Sequence, residues 1–120
     1  TILDAGVNVL FTSFWYDHQI SPAQDFTHHT EDQVMYGTLC MNIDVLRQSA
    51  NLPLLNRGDK VVVHKVGAYN MTQWMQFIHM RPNVVMIDEQ GKTHMVREAE
   101  NLAYIEKQER VPAHLSTINL

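Results

Sequence analysis

The apolar content of this chain comes in short pieces. "VNVLFTSFWY" (7–16), "VMYGTLC" (34–40), a valine-rich run at about 60–66, "NVVMI" (83–87) and "KTHMV" (92–96) are β-branched or aromatic segments of strand length. Proline, glycine, asparagine and aspartate punctuate them, and a chain written this way must fold by pairing strands. "ISPAQDFTHHTEDQ" (20–33) is polar, contains a proline and reads as a loop. "RGD" at 57–59 precedes a valine run and reads as a turn, not as an adhesion motif. "NVVMI", "DEQG" and "KTHMV" read as strand, turn and strand, with the turn ending at Gly91. Two short helices complete the reading. One lies at about 71–79, where Trp74 and Phe77 or Ile78 fall on one face. The other lies in "REAENLAYIEKQE" (97–109) and closes before Pro112. The expected fold is mostly β, a barrel or sandwich with two short helices, formed as one domain over residues 1–120.

Composition narrows the function classes. A net charge of −4, with lysines and arginines scattered, argues against a nucleic-acid partner. No apolar run approaches the ~20 residues of a membrane-spanning helix, so no membrane partner is expected. A single cysteine excludes an internal disulfide framework and points to a reducing, cytoplasmic setting. The chain opens almost directly into its first expected strand, as a piece of a longer polypeptide or a compact small protein would. No P-loop, G-x-G-x-x-G or G-x-S-x-G is present, which removes the usual nucleotide and serine-hydrolase readings.

Four stretches carry candidate chemistry. Cys40 is flanked by Leu39 and Met41, so nothing adjacent lowers its thiol pKa, and alone it reads as a buried structural cysteine. Asp44, four residues on, alone reads as a turn or cap residue. In "GAYN" (67–70), Gly67 and Ala68 allow a sharp turn or a close backbone approach to a ligand. Tyr69 then offers a phenol to a phosphate or carboxylate, or packs at a strand-to-helix corner. Asp17 in "YDH" (16–18) faces a ligand amine or caps the loop. Of seven histidines, only His28 and His29 cluster, beside Glu31 and Asp32. Neighbours on an extended loop point apart and no second ligand pair follows, so a solvated loop is expected and no metal site.

Taken in order, these segments resemble the C-terminal β-domain of the fold-type III pyridoxal-phosphate decarboxylases, the family of ornithine, arginine and diaminopimelate decarboxylases. "DAGVN" (4–8) is similar to the exit from that family's α/β barrel, and "WYDH" to the ornithine-decarboxylase form of the next segment. "GTLCMNID" resembles the glycine-x-x-cysteine block with its following aspartate, and "LPLLNRGDKVVVHKVGAY" the Gly-Asp strand leading to Gly-Ala-Tyr. Phe77 falls eight residues beyond Tyr69, as an active-site phenylalanine does in the family, and "VREAE" resembles the segment before the final helix.

The resemblance implies a pyridoxal 5'-phosphate cofactor, an amino-acid substrate and a homodimer with shared active sites. By resemblance Cys40 reaches the neighbouring subunit's site as proton donor or positioning group, and Tyr69 hydrogen-bonds the cofactor phosphate. Asp17 faces the distal amine of a basic substrate, Phe77 packs against the substrate pocket, and Met41 and Asp44 belong to the substrate-binding block. Three departures stand out. Met41 replaces an acidic residue of the ornithine and diaminopimelate enzymes, Thr12 stands where the latter carry an arginine, and "GTLC" lacks the usual proline. The family's Schiff-base lysine lies on the barrel, and Lys60, Lys65, Lys92 and Lys107 match no such motif, so this chain alone is expected to be inactive. An amino-acid racemase of the same fold type and a catalytically silent regulatory homologue are the competing readings.

Overall fold

The structure, a computed structural model, describes residues 1–27 and 29–116. Six strands run in chain order as β1 (Ile20–Pro22), β2 (Thr30–Tyr36), β3 (Val45–Pro53), β4 (Val61–Val63), β5 (Val84–Ile87) and β6 (Thr93–Arg97). The helices are α1 (Asn70–Gln73) and α2 (Leu102–Glu106), and a 3-10 turn spans Phe11–Phe14. Among the described residues the strands pair as three antiparallel ladders: β1 with β4, β2 with β3, and β5 with β6. The chain is therefore mostly β with two short helices, as its sequence implies. It divides into two units, Thr1–His79 and the remainder from Met80.

In the first unit, β2 and β3 supply Met35, Leu46, Ala50 and Leu52 to a core closed by Val7 and Leu39. Residues 1–3 lie along β2, where Leu3 N–H donates to the Tyr36 carbonyl and Tyr36 N–H to that of Thr1. The ladder is irregular on both sides of Met35, and each irregularity places an extra residue in β3. Two such bulges let the polar run Arg47–Ser49 pass through a core strand without turning its apolar residues outward.

Several local expectations are corrected. The segment 7–16 is not a strand, because its backbone donors are taken elsewhere. Val7 N–H is captured by Asp44, Thr12 N–H by Asn70, and those of Val9 and Leu10 by the Gly6 carbonyl. The 20–33 loop contains β1 and the start of β2, and the strand expected over 34–40 ends at Tyr36, leaving Cys40 in a turn. β3 was not expected at all. The valine strand is confined to Val61–Val63, and the helix expected at 71–79 stops at Gln73, after which Trp74 turns extended (φ −58°, ψ 127°). Of the histidine pair, His28 lies outside the described residues and His29 is exposed.

In the second unit β5 and β6 form a hairpin closed by Asp88, whose Oδ1 accepts from Gln90 N–H (3.0 Å) and Lys92 N–H (2.8 Å). Gly91 takes the left-handed conformation that ends the turn (φ 77°). Arg81 grips Glu100 through its backbone N–H (3.1 Å) and guanidinium (2.9 Å). Asn101 caps α2 by accepting from Tyr104 N–H at 2.9 Å.

Candidate functional site

Strands β1 and β4 run together to Gln19, whose carbonyl accepts from His64 N–H at 2.8 Å. Beyond that point the two chains diverge and open a cleft of about 420 Å³. One wall is Thr12 and Tyr16–Gln19, and the other is His64, Lys65, Ala68 and Tyr69. The structure thus brings two sequence-expected residues, Asp17 and Tyr69, into one cavity.

The second wall is made by backbone that side chains rarely tolerate. Lys65 (φ 58°) and Tyr69 (φ 67°) both lie in the left-handed region, where a non-glycine residue is strained. Gly67, between them, is not in that region, and a side chain there would meet open space. The sharp turn expected of Gly67 and Ala68 is made by the residues on either side of them. The Tyr69 side chain stands 64% exposed at the cleft.

Asp17 does not stand free. Its Oδ1 lies 3.1 Å from Arg47 Nη1 of β3, an ion contact without hydrogen-bond alignment, and its side chain is 86% exposed. Solvent screens such a pair, so it contributes little to stability while holding a cation beside the carboxylate. His64 and His18 are each tied by Nε2, to Ser21 Oγ and to Thr12 Oγ, both at 2.7 Å.

Cys40, Met41, Asp44 and Phe77 do not line this cleft. Cys40 is an exposed free thiol in the turn after β2, not the buried cysteine its flanking residues imply. Met41 is partly buried and packs on the core, and Phe77 is exposed. Thr38 Oγ and His79 Nε2, 2.9 Å apart, link the Cys40 turn to the segment that carries Phe77.

Asp44 is 3% exposed. Its Oδ2 accepts from Leu39 N–H (2.7 Å) and its Oδ1 from Val7 N–H (2.8 Å). Gly6 and Gly37 close over the carboxylate so tightly that a Cβ on either would collide with it. The Asp44 backbone also clamps the turn, donating to the Met41 carbonyl and accepting from Gly37 N–H, each at 3.0 Å.

Sequence reading missed Arg47, Asn70, His18, His64 and Lys65 as members of this site. For Asn70 the only trace was its place directly after Gly-Ala-Tyr. The charge of Lys65 and the imidazoles of His18 and His64 are plain in the sequence, but their convergence depends on the pairing of β1 with β4.

A cleft opens where a short antiparallel ladder ends, with a strained tyrosine on its lip, in a small β-rich domain. Residues 1–67 match the family model described as the C-terminal sheet domain of pyridoxal-dependent decarboxylases, and the chain belongs to that family. It is 29% identical over 117 residues to the diaminopimelate decarboxylase of Methanothermobacter thermautotrophicus, covering 94% of this chain and 27% of the relative. It is 31% identical over 91 residues to the lysine/ornithine decarboxylase of Selenomonas ruminantium, covering 73% of this chain and 23% of that protein. Among solved structures, it superposes on the diaminopimelate decarboxylase of M. jannaschii with a TM-score of 0.84 at 26% identity, over 95% of this chain and 26% of that one. That enzyme has also been solved in complex with L-lysine. The chain thus spans about a quarter of the length of the relatives it matches.

Proposed function

We propose that this chain is the C-terminal part of a pyridoxal-phosphate-dependent amino-acid decarboxylase and contributes residues to an active site shared across a homodimer. The observation that carries the reading is the single cleft lined by both Asp17 and Tyr69. The cleft suits the cofactor's anionic end. An exposed phenol and the Lys65 ammonium make a donor set matched to a phosphate, with Tyr69 the residue to hold it. When bound, pyridoxal phosphate supplies the electron sink for loss of the substrate carboxylate, and the protein supplies orientation and protons.

In this reading Asp17 faces the polar end of an amino-acid substrate, with Arg47 beside it to set how much negative charge the substrate meets. Cys40 holds a proton at Sγ for delivery to the substrate carbon, and its exposure suits a residue that works in the neighbouring subunit. Phe77 and Met41 offer apolar surface to the substrate's chain. Asp44 acts on this site through the backbone of the Cys40 turn.

The test is an absorbance spectrum of the full-length protein with added pyridoxal phosphate, before and after borohydride, followed by measurement of carbon dioxide release from a panel of amino acids. A cofactor band that borohydride fixes, with carbon dioxide released, is the expected result. Inversion of the amino acid without carbon dioxide would make the protein a racemase. A folded protein with no cofactor affinity would make it a silent homologue. Cys40→Ala is expected to slow product formation while leaving cofactor binding intact.

A further inference from the structure

Tyr69 holds a left-handed backbone conformation that no glycine makes cheap, so something nearby must hold it there. The next residue does. Asn70 is 3% exposed, and its side chain hydrogen-bonds two segments. Nδ2 donates to the Val66 carbonyl at 2.9 Å, bracing the turn that presents Tyr69. Oδ1 accepts from Thr12 N–H at 3.1 Å and from Thr12 Oγ–H at 3.0 Å, fixing that turn to the opposite wall of the cleft. The backbone partners leave no ambiguity in the orientation of the amide, because a carbonyl requires the NH2 group and an N–H requires the oxygen.

This geometry assigns a proton as well. Thr12 has one hydroxyl hydrogen, and Asn70 Oδ1 receives it. The 2.7 Å contact between Thr12 Oγ and His18 Nε2 therefore needs its hydrogen from the ring, so His18 carries its proton on Nε2. Buried Thr12 thus joins Asn70, behind Tyr69, to His18, the neighbour of Asp17.

We propose that the Thr12–Asn70 pair is the positioning element of this cleft, holding the Tyr69 phenol where it meets the cofactor phosphate and locking His18 as its Nε2–H form. The inference rests on the reading of Tyr69 given above. Asn70 lies behind the cleft and Thr12 is 1% exposed at its wall, so both act through the wall they brace.

The test uses the full-length protein and compares its affinity for pyridoxal 5'-phosphate with that for pyridoxal, which lacks the phosphate. A merely structural residue would weaken both alike. Asn70→Ala is expected to lower the ratio of the two affinities about fivefold, the equivalent of one ordinary hydrogen bond, and Tyr69→Phe to lower it by a similar factor. Thr12→Val is expected to lower the ratio less and Thr12→Ser to restore it. In 15N spectra of the histidine rings, the His18 proton should sit on Nε2 in the native protein and in Thr12→Ser, and divide between the two nitrogens in Thr12→Val.

If Tyr69→Phe lowers the ratio but Asn70→Ala leaves it unchanged, the positioning role is overturned. If Asn70→Ala does not fold, Thr12→Val decides, and an unchanged ratio there overturns the role equally. A ratio untouched by Tyr69→Phe itself defeats the Tyr69 reading first, and the pair's role toward the phosphate falls with it. A His18 proton found on Nδ1 in the native protein overturns the tautomer assignment.

Discussion

Two antiparallel hairpin ladders in this molecule show how little pairing alone decides. The β2–β3 ladder seats Met35, Leu46, Ala50 and Leu52 in a core with Val7 and Leu39. The β5–β6 ladder leaves Val85, Met86, Ile87, Met95 and Val96 exposed. Both have strand-forming sequences and antiparallel backbone pairing interrupted by register shifts. The first is covered because residues 1–10 and the turn after β2 fold across it, and those segments are pinned by Asp44. In the second, the nearly buried Glu100 carboxylate takes backbone from Arg81 and not from two distant segments, and a two-stranded ladder without a covered face is marginal in water. The difference therefore lies in a buried carboxylate that gathers backbone from two distant segments.

The largest expected effect comes from removing that anchor. Asp44→Ala leaves the N–H groups of Val7 and Leu39 without their acceptor inside the core, and should cost about 3–5 kcal/mol in denaturant unfolding. A loss below about 1 kcal/mol would mean that water enters the turn and replaces the carboxylate, and the contrast between the ladders would need another cause. Next in size is Leu52→Ala, which empties a fully buried site and should cost about 2–4 kcal/mol. Met95→Ala on the exposed face of β6 should change stability by no more than about 0.5 kcal/mol. An effect of Met95→Ala as large as that of Leu52→Ala in the full-length protein would show that the apolar face of the β5–β6 hairpin is covered there.

How much of this was legible in sequence follows the same division. The β5–β6 hairpin was readable almost to the residue, because Asp88, Gly91 and the flanking valines form a local code in which every contact lies within a few positions. The first unit was read correctly as β-rich but with its pieces misplaced. "VNVLFTSFWY" has strand composition, yet Asp44 and Asn70, tens of residues away, take the N–H groups of Val7 and Thr12 that a strand partner would need. "VLRQSANLP" has the right residues for β3, but its two bulges break the alternation that would reveal it. At the cleft, Tyr69 and Asp17 stand out in their motifs, and the structure places both on its walls. Asn70 and Arg47 do not stand out, since an asparagine after a tyrosine or an arginine between a leucine and a glutamine carries no signal until the fold supplies partners.

The smallest expected effect sharpens the contrast between the two aspartates. Asp88, like Asp44, collects two backbone N–H groups, but from its own turn, and its other oxygen meets His94 Nε2 at 2.7 Å. The His94 hydrogen bond chiefly, and then those from Lys92 and Gln90, hold its carboxyl below the ordinary 3.8 against a small opposing effect of burial. A carboxyl with a depressed folded pKa binds its proton more weakly when folded than when unfolded. Its contribution to stability is therefore complete above the unfolded value and is lost as pH falls through that value toward the lower folded one. Carboxyl NMR of the intact protein should place the Asp88 midpoint below 3.8, and His94→Gln should move it upward. The accompanying change in stability should be small, because the group faces solvent and closes only a local turn. An Asp88 midpoint at or above 3.8 would remove the hydrogen bond from His94 as the turn's organising contact. The hairpin would then rest on Gly91, the two Asp88 Oδ1 bonds within its own turn and the backbone ladder, whereas Asp44 ties the first unit across distant segments.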